Sequence, residues 1–285
     1  MRQVAVVTGG SRGIGLETCG YLASRGWNIA LCSRDGDDAE TAAELIRRTH
    51  GVDAIGTPAD VSSPDDMDDF AARVRRELGQ VRALVCNAAV LGPVGRLEQI
   101  RSADLLDTFA VNVLGFSNAC RSFWSDLRSV GDFRIVALAG GGLGGPGQMT
   151  RAPGYVPSKS ALVSMVEVIN DEVVEAGGTV NVVAPGNIPT GFMRSVLDAG
   201  PAAAGDVLYS QAADREGKQI GDSLGRFLDL LEFLLGEDAR FISGRFLSAR
   251  WNDPASLMTR TDEGLSDAMF RLRRIDDDLF KESRG

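Results

Sequence analysis

The sequence predicts an α/β fold: a single doubly wound domain whose parallel sheet of about seven strands is covered by helices on both faces. Three observations carry that prediction. Short apolar runs alternate with longer helical patterns from the first residues onward. The first run, Val4–Val7, passes directly into a glycine-rich turn and then into a helix. No linker, repeat or low-complexity segment divides the chain.

The elements follow in order. Val4–Val7 is the first strand, and Ile14–Ser24 has helical spacing. Asn28–Cys32 is a second apolar run, followed by a helix of mixed charge over Asp38–Thr49 and a third strand at Val52–Gly56. Ser63-Pro64 marks the start of a charged helix over Pro64–Leu78, because proline is pre-organised for the first helical position and serine caps it. Ala83–Cys86 is the fourth strand, and one long helix is expected over Ala103–Leu127. Ile135–Ala139, a helix over Tyr155–Glu175, Val180–Ala184, a helix over Phe227–Leu235 and Arg245–Ser248 complete the sheet. Strands this uniformly apolar are buried on both faces, as parallel strands are.

Two segments break the alternation. Residues 187–221 are rich in Gly, Ala and Pro and have the size of a lid over the carboxyl ends of the strands. The main domain is expected over residues 1–250. Residues 251–285 then form a C-terminal extension, packed on the domain or on a neighbouring subunit, with Leu265–Ile275 as its helix.

Composition narrows the function. Of 285 residues, 44% are hydrophobic and 24% charged, enough for a substantial core. A net charge of −9 argues against nucleic acid or an anionic membrane as partner, and no apolar stretch reaches membrane-spanning length. Four cysteines, Cys19, Cys32, Cys86 and Cys120, lie scattered in apolar surroundings without CxxC spacing, which reads as buried free thiols in a reducing, cytoplasmic compartment. His50 is the only histidine. That argues strongly against Ser-His catalysis and a His-rich metal site, and pushes acid/base chemistry onto Tyr, Lys, Asp or Glu.

Thr8-Gly9-Gly10-Ser11-Arg12-Gly13-Ile14-Gly15 lies between the first strand and the first helix. Glycines allow close approach to a pyrophosphate, and the free N–H groups of the helix start favour its charge. In that context the turn predicts a dinucleotide site of Rossmann type. The second strand ends Cys32-Ser33-Arg34-Asp35. Ser33 followed by Arg34, with Arg12 as a second cation, suits a 2′-phosphate, so the expected cofactor is NADP(H); Asp35 is the counter-argument, since an acid there serves NAD(H). Tyr155-Val156-Pro157-Ser158-Lys159 places a phenol and an ammonium one turn apart on one helical face. A cation beside the oxygen would bring a tyrosine pKa of about 10 down toward the working range.

With these pieces in order, the sequence resembles the short-chain dehydrogenase/reductase family from Val4 to about Trp251. Thr8–Gly15 looks like the family's TGxxxGxG turn, Asp60-Val61 falls where the adenine is contacted, and Asn87-Ala88-Ala89 resembles its NAG segment. Asn112 stands where the family's asparagine holds a water of the proton relay, and Pro185-Gly186, Ile188 and Thr190 follow the sixth strand where cofactor contacts are made. The resemblance implies proton transfer by Tyr155, with Lys159 lowering its pKa and binding the ribose. It also implies a homodimer or homotetramer.

One position departs from the pattern. The family's catalytic serine is expected at the end of the fifth strand, where this chain reads Ala137-Leu138-Ala139-Gly140-Gly141-Gly142. Loss of such a donor costs on the order of 10²–10³ in rate. Gln148, Thr150, Ser158, a glycine N–H or a hydroxyl of the substrate itself could take its place. The triple glycine, the lid beginning Pro185-Gly186-Asn187 and the Trp251-Asn252-Asp253 segment together resemble a bacterial subgroup with no single defined substrate. Gly140, Gly141, Gln148, Asn187 and Trp251 are expected to line the substrate. The expected reaction is hydride transfer between the nicotinamide and a carbonyl or secondary alcohol of a small polar molecule such as a sugar or cyclitol, with a ketone or ketoacyl compound as rival. A non-catalytic NADP(H)-binding sensor and a cofactor-retaining epimerase or dehydratase are the alternatives.

Overall fold

The computed structural model describes residues 2–140, 143, 149–186, 188, 191–214, 216, 222–260 and 269–272. Seven strands form one parallel sheet in the order β3-β2-β1-β4-β5-β6-β7. They are β1 (Val4–Thr8), β2 (Asn28–Ser33), β3 (Ala54–Pro58), β4 (Val81–Cys86), β5 (Arg134–Leu138), β6 (Thr179–Ala184) and β7 (Arg245–Ser248). Alternation along each strand sends side chains to two separate cores. Ala5, Val7, Ile29 and Leu31 face one side, against α1 (Gly13–Ser24), α2 (Gly36–His50) and α8 (Asp222–Leu235). Val4, Val6, Ala30 and Cys32 face the other, against α3 (Pro64–Glu77), α5 (Gly115–Val130) and α6 (Tyr155–Glu175).

The strand order reverses between β1 and β4, and both strands run toward the same edge. A doubly wound sheet opens a crevice at such a switch point. The glycine turn after β1, Asn87 after β4, Gly140 after β5 and Pro185 after β6 all lie at that edge.

Three sequence expectations shift. The third strand begins at Ala54, not Val52, because α2 continues to His50 and Gly51 caps it in the left-handed conformation at φ 63°. The single helix expected over Ala103–Leu127 is three pieces: α4 (Ser102–Phe109), a π-helical turn (Ala110–Leu114) and α5. The extra residue in that turn carries Asn112 inward, where its amide is bound twice to the backbone of Val90. The final helix starts five residues earlier than its apolar stripe, at Asp222 in place of Phe227.

The lid segment is α7 (Gly191–Ala213), whose backbone leaves helical geometry at Gly200 and Gly205, flanking Pro201. Its inner face, Val196, Ala204, Leu208 and Ala212, makes a third apolar cluster with Leu91, Ala152 and Tyr155. After β7 comes a short helix, α9 (Pro254–Met258), capped by Asp253. The helix expected over Leu265–Ile275 lies largely outside the described residues. Its described part, Met269–Leu272, is turn and bend. There the carbonyl of Phe270 accepts from Phe246 N at 2.6 Å and shields the outer edge of β7.

At the opposite end of the sheet, Arg134 is fully buried at the start of β5 and held by Asp132 at 2.7 Å; Arg82 and Arg240 converge on the same carboxylate. Asp132→Ala leaves that guanidinium without its counter-charge and should cost about 3 kcal/mol. Urea denaturation measures this, and a loss near zero would mean the Gly236 and Phe133 carbonyls suffice.

Candidate active site

The glycine turn is held by close backbone contacts. Gly9 and Gly13 have φ of 65° and 55°, which side chains disfavour. A Cβ on Gly15 would lie 2.2 Å from the Gly9 carbonyl oxygen, so only glycine lets α1 start directly on the turn. Beside Gly13, by contrast, a Cβ would meet nothing within 4 Å, leaving the outer side of the cradle open. No side chain caps α1 at Arg12, so its first N–H groups face that opening. These features fit a pyrophosphate. Asn87 fastens the turn from behind: its Nδ2 donates to the carbonyls of Thr8 and Gly9 at 2.9 and 3.0 Å, while Thr8 Oγ1 accepts from Asn87 N and Ala88 N. Ser11 and Ile14 are half-buried on the turn.

At the end of β2, Ser33 is half-buried and Arg34 exposed. Asp35 turns away from this role: its Oδ1 accepts from Asp37 N and Asp38 N and caps α2. Arg12 and Arg34 form no ion pair among the described residues. Asp60 Oδ1 accepts from the N–H and hydroxyl of Ser62, which holds the chain end beside Val61. Val61, Thr8, Ala88, Asn112 and Lys159 border one small recess. Pro185, Gly186 and the buried Ile188 follow β6; Asn187 and Thr190 lie outside the described residues.

Tyr155 is the first residue of α6, 5% exposed, with its ring edge-on to Phe192 of α7 at 5.4 Å between centroids. Burial holds its phenol well above the ordinary tyrosine range. Lys159 is 2% exposed and donates from Nζ to the Leu138 carbonyl at 2.7 Å; burial pushes it down to about 8. The lowered tyrosine pKa expected from the Tyr-xxx-Lys spacing is therefore not the condition of the free chain. The ammonium is engaged at the end of β5, and desolvation of the phenol dominates.

Asn112, from the π-helical turn, also donates to Ser158 Oγ at 2.9 Å, and Ser158 Oγ donates to the Tyr155 carbonyl at 2.7 Å. This chain of bonds fixes the start of α6 against the β4 side of the cleft. Ser158 is fully buried in that role and is no substitute for the missing serine. Thr150 is exposed in a turn, Gly140 is buried against the Tyr155 ring, and Gly141 and Gln148 lie outside the described residues. Trp251 stands 72% exposed with the Arg250 guanidinium 4.6 Å over its ring, outside the packed core.

Three features escaped the sequence reading. Phe192 has no motif to mark it within the lid. Arg226 and Arg250 border a pocket of about 170 Å³ with Pro185 and Gly186 at the carboxyl ends of β6 and β7, yet each is an isolated arginine in the sequence. Cys86 lies in the Lys159 recess, and its thiol is pushed well up by a hydrogen bond with Cys120 and by burial, which makes it unreactive. All four cysteines are free and buried. Among the described residues no helix is long and apolar enough to cross a membrane.

A family model described as short chain dehydrogenase matches residues 3–200. The chain is 30% identical over 249 residues to acetoacetyl-CoA reductase of Rhizobium meliloti, covering 87% of this chain and 97% of that protein. It is 30% identical over 194 residues to 2,3-dihydro-2,3-dihydroxybenzoate dehydrogenase of Bacillus subtilis, covering 68% and 73%. Among solved structures, actinorhodin polyketide ketoreductase with NADPH is similar at a TM-score of 0.76 and 26% identity, covering 87% of this chain and 95% of that one. NAD+-bound xylitol dehydrogenase is similar at 0.74 and 26%, covering 86% and 96%. The family match and these relatives make the chain an oxidoreductase of alcohol and carbonyl groups. The chain belongs to the short-chain dehydrogenase family.

The buried ammonium has a measurable consequence. Its penalty is fully present below about pH 8 and is relieved as pH rises from there toward the ordinary value of 10.5. Relative to Lys159→Met, the wild type should gain about 2 kcal/mol of stability between about pH 7 and about pH 9.5, read from denaturant midpoints. A difference that stays constant over that interval contradicts burial as the cause.

Proposed function

We propose that the chain is an NADP(H)-dependent dehydrogenase/reductase that interconverts a carbonyl and a secondary alcohol, with Tyr155 as the proton-transferring group. The observation that carries this reading is the Tyr155 hydroxyl, buried beneath an apolar lid at the edge where the glycine turn opens. A dinucleotide whose pyrophosphate lies in the glycine turn would supply or accept the hydride through its nicotinamide. In the reductive direction Tyr155 gives its proton to the carbonyl oxygen as the carbon is reduced, and in oxidation it takes the alcohol proton back. Lys159, one turn along the same face, would hold the ribose hydroxyls and stabilise the phenolate. Asn112 acts through position: its side chain is spent on Val90 and Ser158, so it aligns α6 with the cleft. The lid excludes water from the phenol.

Commitment of Asp35 to the α2 cap, with Arg12 and Arg34 left unpaired among the described residues, supports NADP(H) over NAD(H). The lid contributes Phe192, Val196 and Leu208 over the tyrosine, which favours a carbonyl carried on a partly apolar skeleton, a ketone or acyl compound, over a bare sugar or cyclitol. A ketoreductase and an acetoacetyl-CoA reductase among the similar proteins support the same choice. Glycine in place of the serine supports placing the chain in a subgroup with that substitution. Four buried thiols suit a reducing cytoplasm. Val168 and Val174, 75% and 50% exposed on α6, are apolar side chains open to a second copy, which suits a homodimer or homotetramer.

Nicotinamide fluorescence titration, followed by turnover on a panel of ketones, acyl thioesters and polyols, tests the reading. Tyr155→Phe should lower turnover by at least about 10²-fold with cofactor affinity nearly intact. Arg34→Ala should weaken NADPH about tenfold and leave NADH unchanged. Turnover surviving in Tyr155→Phe, or a wild type that prefers NADH, overturns the corresponding assignment.

A further inference from the structure

Gly140 follows β5 and is buried beside the ring of Tyr155. A Cβ built there would lie 2.1 Å from Tyr155 Oη and 2.6 Å from its Cε1 and Cζ. No residue with a side chain can occupy the position while the phenol stands where it does. The phenol has little freedom to yield. It is a rigid ring on two torsions, edge-on to Phe192 and walled by Leu91, Ala152 and Leu208. Its own backbone is tied through Ser158 to Asn112. The groups around the ring in that cluster are apolar, and the cation on its own helix, Lys159, is bonded to Leu138.

We propose that Gly140 is the positioning residue that seats the Tyr155 hydroxyl against bare backbone, in the space a hydroxyl-bearing side chain would fill, so that among the described residues the phenol is the side-chain donor presented to the substrate oxygen at this strand end. The absence of a serine is then a steric requirement of this tyrosine position. Installing the serine displaces the tyrosine and does not complete the site. The kinetic side of this inference rests on the proposed carbonyl chemistry, whereas the seat itself rests on the contact geometry.

The test uses Gly140→Ala and Gly140→Ser in the full chain. Both should lower kcat by at least about tenfold, because a Cβ pushes the proton donor off its position, while NADPH affinity changes by less than about threefold, the glycine turn lying on other strands. Ionisation of Tyr155, followed at 295 nm with Tyr155→Phe as the blank, should move to lower pH in Gly140→Ala, since a displaced ring is less buried. Gly140→Ser turning over as fast as the wild type, or a Gly140→Ala titration that superimposes on the wild type, overturns the proposal. A wild type without Tyr155-dependent turnover would sink the carbonyl chemistry, and the titration would still decide the seat. Should Gly140→Ala fold poorly, the stability cycle decides: its effect on the unfolding equilibrium should shrink at least tenfold in a Tyr155→Ala background, and additive effects contradict the seat.

Discussion

The Tyr155 phenol rests against the backbone of Gly140 beneath Phe192, and much of the cleft is arranged to hold it there. A neutral phenol can be buried at modest cost, whereas a phenolate cannot. The apolar lid cluster thus keeps the proton on the oxygen until a charge or a dipole enters the cleft. Lys159 shows the same logic from the other side. Its ammonium is buried on one carbonyl, and burial, opposed in part by Cys86, brings its pKa to about 8. Both groups are poised by desolvation, which a ligand entering the cleft would change.

Close approach to a bare glycine backbone is the common device of this edge. Gly15 sits on the Gly9 carbonyl, and Gly140 receives the tyrosine; in each case a Cβ would stand closer than 2.5 Å to its neighbour. Asn87 and Asn112 perform matching tasks on the two sides of β4. One ties the glycine turn to the strand end, and the other ties the π-helical turn to the loop after it and to α6. The polar side chains that look like ligands in the sequence are, in these two cases, spent on holding the frame.

The sequence made the sheet legible because parallel strands buried on both faces are short and unbroken in their apolar character. The Tyr155–Glu175 helix and the Arg245–Ser248 strand have the bounds their patterns suggest. What it concealed was local. The break at Ala110–Leu114 leaves helical periodicity almost intact, so only the inward turn of Asn112 reveals it. Asp35 reads equally as a ribose ligand or as a helix cap, and the choice lies in the N–H groups of Asp37 and Asp38. Gly140 reads as a missing serine until the position of the tyrosine ring shows what the empty space contains. Phe192 is one apolar residue among many in a lid whose path no periodicity dictates.

The most direct measurement is a crystal structure of the NADPH complex. It should place the 2′-phosphate between Arg12 and Arg34, keep Asp35 on the start of α2, and leave the Tyr155 hydroxyl against Gly140 facing the nicotinamide. An adenosine ribose held by Asp35, or a Tyr155 ring withdrawn from Gly140 with the nicotinamide elsewhere, would contradict both the cofactor choice and the role of the tyrosine.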